Sequence, residues 1–79
     1  MRTDGGVDRG KLVKRSMRIA SHRTSLALER EFWLALEEIA LRQKQSLPML
    51  IASIDRVRER ERAASLASAA RLFALENAR

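Results

Sequence analysis

The chain of 79 residues has no cysteine and no tyrosine, one proline, one histidine and only three aromatic residues, Phe32, Trp33 and Phe73. Without cysteine, no disulfide can staple the fold and no thiolate can hold a metal. His22 has no second histidine to share a zinc ion with, so no metal site is expected. All three glycines lie in the first ten residues, which leaves no glycine-rich loop to cradle a phosphate in the body of the chain. No apolar run is long enough to span a bilayer, and the basic N-terminus lacks the apolar segment of a secretory signal. The expected location is the cytoplasm, with no membrane partner. Ser25 has no catalytic base in view, and no nucleophile–base pair or ligand cluster stands out. The reading is therefore of a non-enzyme without a cofactor.

What is present is positive charge. The formal net charge is +6, and the isoelectric point is near 11.3. Residues 1–28 carry +5 of it, against +1 for residues 29–79. A basic excess gathered in one third of a chain attracts polyanions, most commonly nucleic acid. The rest of the composition, 46% apolar and 33% charged, suits a helical globular domain. A chain this short buries a small core, and oligomerisation is the usual further source of stability.

Residues 1–13, with the glycines and little pattern, read as a flexible basic N-terminal arm. The domain itself is expected over 14–79. "KRSMRIAS", 14–21, alternates weakly and is either an extended lead-in or an extra strand. "RTSLAL", 23–28, alternates well: Thr24, Leu26 and Leu28 share one face, and Arg23, Ser25 and Ala27 the other. From Glu29 the apolar period becomes helical. Phe32, Leu36, Ile39 and Ala40 form a stripe with Trp33 beside it, and a first helix is expected over about residues 30–43. Ser46 is a good N-cap and Pro48 is tolerated in the first turn. A second helix follows with Leu47, Leu50, Ile51, Ile54 and Val57 as its stripe. Near Ala64–Ser65 the pattern resets. Either Ser65 caps a third helix, with Leu66, Ala69, Ala70 and Phe73 inward and Asn77 as a stop, or the second helix runs on.

The fold class is thus mainly α with one short β-strand. A lone strand leaves its backbone groups unpaired. The economical solution from sequence is an intertwined homodimer, in which each strand pairs antiparallel with its copy in an intermolecular two-stranded ribbon. Its core would hold Leu26, Leu28, Phe32, Trp33, Leu36, Leu50 and Ile54.

The segments "HRTSLALEREFWLALEEIA", "SLPMLIASID" and "SLASAARLFALE", after a basic "KRS-x-R-I" lead-in, resemble the ribbon-helix-helix (MetJ/Arc-type) family. The resemblance is to a bacterial sub-family with an HRTS strand, a Glu-x-x-Phe-Trp helix start and an Arg-Leu-Phe C-terminal helix, and it covers roughly residues 14–77. It implies that the chain binds double-stranded DNA. Arg23, Ser25 and Ala27 would face bases. The backbone at Ser46 and Leu47, with the Ser46 hydroxyl, would hold a phosphate. Around these, Lys14, Arg15, Arg18 and His22 are expected to meet phosphates. The chain departs from the family pattern at Ala27, which fills a slot that often holds a polar reader, and at Pro48, which removes an N–H from the clamp.

The expected function is a small homodimeric DNA-binding protein and transcriptional regulator. The alternative is an antitoxin-like interaction module that grips a protein partner through Leu66, Phe73 and Leu75 of the C-terminal helix. Whether Phe73 packs on its own core separates the two.

Overall fold

Alternation, capping and helical periodicity each reappear as an element. A computed structural model of the chain describes residues 11–62 and 65–78. Strands β1 (Leu12–Ile19) and β2 (His22–Glu29) are followed by helices α1 (Arg30–Arg42), α2 (Leu47–Glu61) and α3 (Leu66–Glu76). The arm expected over 1–13 lies outside the described residues up to residue 10, and Leu12 and Val13 already belong to β1.

β1 and β2 form an antiparallel hairpin, in register from Leu12 opposite Glu29 to Ile19 opposite His22. Between them stand only Ala20 and Ser21. Ala20 sits at φ 57°, the left-handed region that tight hairpin turns require at their first central position. Residues 14–21 therefore supply a strand and its turn, the second of the two readings left open above. Within the chain β1 pairs with β2, and the two-residue turn keeps the entropy cost of closing this hairpin small.

Helices α2 and α3 start where a serine side chain holds a free N–H group, while α1 starts without a side-chain cap. Ser46 Oγ accepts from Met49 N–H at 3.2 Å, and Ser65 Oγ accepts from Ser68 N–H at 3.1 Å. The Ser65 N-cap and a left-handed Arg62 at φ 52° as C-cap separate α2 from α3, so the single long helix is not formed. Asn77 closes α3, its backbone N–H bonding to Phe73 O.

The hairpin lies over the helices, and one core fills the space between. Ile19, Leu26 and Leu28 come from the hairpin, Trp33, Leu36, Ile39 and Ala40 from α1, Leu50, Ile51 and Ile54 from α2, and Ala70 and Ala74 from α3. The alanines of α3 let its backbone come close to the others. Of the residues expected at a dimer core, all are buried inside this one chain except Phe32, which is half-buried.

Two polar latches hold the hairpin to the helices. Trp33 Nε1–H donates to Val13 O at 2.8 Å, and Arg15 stacks over the Trp33 ring at 4.8 Å while pairing with Glu37 at 2.7 Å. At the other end Arg71 of α3 forks onto Glu29, with Nε to Oε1 at 2.9 Å and Nη2 to Oε2 at 3.1 Å. That hydrogen bond, helped by the Glu29 backbone amide and the Arg71 charge, outweighs partial desolvation and holds the carboxyl below its ordinary value of 4.5.

A lowered folded value means that the latch's contribution is fully present above the unfolded value and is lost as pH falls through the folded one. Arg71→Ala should therefore lower the melting temperature at neutral pH, and the gap from wild type should close as the pH falls below 4.5 and through the lowered folded value. Thermal unfolding of both proteins across that range checks it. A gap that stays constant would mean that Arg71 acts through packing on Phe32, which lies 5.9 Å from its guanidinium, and not through Glu29.

Candidate nucleic-acid interface

In an antiparallel pair, directly opposed residues share a face. The register puts Val13, Arg15, Met17 and Ile19 with Leu28, Leu26, Thr24 and His22 on the helix side. The outer side carries Lys14, Ser16 and Arg18 from β1, opposite Ala27, Ser25 and Arg23 from β2. All of these are exposed except Ala27, which is half-buried. The three residues expected to face bases, Arg23, Ser25 and Ala27, thus do share one accessible face.

The chemistry of this face is concentrated. The Ser16 and Ser25 hydroxyls lie 3.1 Å apart in a hydrogen bond, which still leaves each oxygen capacity for another partner. Arg18 stands directly opposite Arg23. Like charges in that arrangement repel. Lys14, Arg18 and Arg23 make no ion pair among the described residues. Three cations and two hydroxyls are held open on one side of a ribbon.

The other candidates are placed differently. Arg15 points to the helix side, where Glu37 and Trp33 occupy it. His22 sits beside the turn on that same side, exposed and opposite Ile19. Ser46 and Leu47 do open α2, but the clamp is small. Pro48 has no N–H and Met49 N–H is bonded to Ser46 Oγ, so Leu47 supplies the first turn's free donor.

The sequence reading missed Ser16 as a member of this face. Its signal was the spacing Lys14, Ser16, Arg18, a strand period that Arg15 obscures on the opposite side.

Apolar surface lies elsewhere. Ser53, Ile54, Val57, Arg58, Glu61, Ala69, Leu72, Phe73 and Glu76 line a groove of about 270 Å³ between α2 and α3. Phe73 is half-buried against the core, while Leu72 and Leu75 are exposed. Among the described residues, no helix is long and apolar enough to cross a membrane, and no cluster of metal-ligand side chains is present.

Compared with known proteins, no curated sequence and no solved structure matches the chain. The family profile described as the ribbon-helix-helix domain matches residues 12–78, from the first residue of β1 to just past α3. The strands followed by helices are consistent with that description, and the chain belongs to the ribbon-helix-helix domain family, a family of DNA-binding, regulatory domains.

Proposed function

We propose that the protein is a non-enzymatic transcriptional regulator that acts as a homodimer and lays the outer face of its hairpin in the DNA major groove. The observation that carries this reading is the open face itself: Lys14, Arg18 and Arg23, without ion pairs among the described residues, beside two hydroxyls on a two-stranded ribbon. A β-ribbon fits the major groove. Arg23 suits the bidentate edge of guanine, Ser25 can donate or accept, and Ala27 can meet a thymine methyl. Ser46, whose hydroxyl proton is free to donate, and the Leu47 N–H suit a flanking phosphate. A second copy accords with the family habit of binding DNA as dimers and with the small size of the chain. Such a regulator works in the cytoplasm of a bacterial cell.

The test is a titration of duplex DNA with wild type and Arg23→Ala at two salt concentrations, with mass in solution measured by light scattering. The expected result is salt-sensitive binding by a dimer, weakened by roughly 1–3 kcal/mol in the variant with folding unchanged. Equal affinity for both proteins at fixed salt would overturn ribbon reading. A dimer without DNA affinity would favour the second reading, a protein-interaction module. Exposed Val57 and Leu72 in the α2–α3 groove, with Leu75 exposed on α3, support that reading, and the packing of Phe73 on its own core weighs against it.

A further inference from the structure

We propose that the outer face of α1 is a contact surface for a second copy of this chain, in which two α1 helices pack antiparallel through Leu34 and Leu41. The contact uses no residue of the hairpin. It stands apart from the face assigned to DNA and does not depend on that reading.

Three observations carry it. First, α1 is apolar on two sides, and the core uses only one of them. Trp33, Leu36, Ile39 and Ala40 are buried. Leu34 and Leu41 stand on the opposite side, 51% and 77% exposed. Seven residues make nearly two helical turns, so the two leucines lie one above the other, about 10.5 Å apart. A single exposed leucine is ordinary. Two in line at a seven-residue spacing are what one helix offers another to pack on.

Second, the pair matches itself. In a two-fold antiparallel arrangement each Leu34 meets the partner's Leu41, so both leucines of both chains are covered by one symmetric contact.

Third, the charges beside the leucines complement one another in that register. Glu31, Glu38 and Arg42 lie along one flank of the stripe by helical spacing. All are exposed, and none makes an ion pair among the described residues. With Leu34 set opposite the partner's Leu41, the partner's Arg42 falls two positions from Glu31, about 3 Å along the axis. Symmetry makes this pair twice. Arg42 donates one N–H to Asn77 O at 3.0 Å and has further donors to offer. Glu38 falls beside the two-fold axis, close to its own copy, and is the repulsive element of the match.

Two leucines from each chain make a contact well below the size of a stable interface. Its association is therefore weak in dilute solution and grows where copies are crowded together.

The test is molar mass by sedimentation equilibrium and light scattering, from dilute protein up to about 1 mM, the effective concentration of neighbours held close together. The mass of wild type should rise with concentration. That of Leu34→Glu/Leu41→Glu should not, while its melting temperature stays near that of wild type, because both positions are exposed. Glu38→Gln should shift the rise to roughly twofold lower concentration. Glu31→Arg and Arg42→Glu should each weaken association, and the two together should restore it. If the leucine variant settles as a dimer, the contact adds to the homodimer proposed above. If it settles as a monomer, α1 is itself the homodimer contact. A wild-type mass that stays flat over the whole range would overturn the proposal and leave the face to a different protein. A leucine variant that associates like wild type would also overturn it, as would a charge exchange that fails to restore what the single changes remove.

Discussion

Replacing Trp33 with alanine is expected to cost about 3–5 kcal/mol, the range for truncating a large buried aromatic. For a chain this size, whose whole stability is of order 4–12 kcal/mol, that leaves little folded protein. The loss should also be uneven. Trp33 is 2% exposed and is the residue through which α1 holds β1, by its bond to Val13 O and its stacking under Arg15. Trp33→Phe keeps most of the ring and removes the donor, so its cost should be nearer 1–3 kcal/mol, mostly from the carbonyl it leaves unbonded. Urea denaturation measures the totals, and amide hydrogen exchange locates them. Amides of β1 should lose protection in Trp33→Phe before those of α1 and α2 do. Equal loss everywhere would mean that the indole only fills space.

Leu36→Ala should cost about 2–5 kcal/mol, because Leu36 is fully enclosed between the hairpin and the other helices. Leu41, on the same helix but 77% exposed, is the control, and Leu41→Ala should stay within about 0.5 kcal/mol of wild type. The same two variants bear on assembly. If the core closes inside one chain, the destabilisation by Leu36→Ala should not depend on protein concentration. If the core is shared between intertwined copies, the unfolding midpoint should move with dilution. Denaturation of both variants at several concentrations separates these outcomes.

Much of this molecule is local and was legible in its residues. Thr24, Leu26 and Leu28 alternate because a strand turns successive side chains to opposite faces, and the structure buries Leu26 and Leu28 and exposes Arg23 and Ser25. Ser46 and Ser65 begin helices because their hydroxyls hold the N–H of the residue three positions on. The family motifs from Lys14 onwards describe the same elements.

The first strand was harder to see, for two physical reasons. Arg15 occupies its inward face, where an apolar residue would have declared the pattern. A long cation is tolerated there because its stem covers the indole and its head meets Glu37. The turn is Ala20–Ser21, with none of the Asn-Gly or Gly-first pairs that signal a tight hairpin. Successive residues in a strand point apart, so of the cations expected at phosphates Lys14 and Arg18 join the open face while Arg15 turns inward.

By itself the sequence determined the positions of β2 and α1, the start of α2, the basic N-terminal third and the family. These follow from residues that act on near neighbours or repeat with a period. Only the tertiary structure decided that residues 12–19 form a strand beside β2 and which cations remain open. Both depend on contacts between residues about twenty positions apart, Trp33 with Val13 and Arg15 with Glu37. The choice lies in side chains that meet only once the helices have packed.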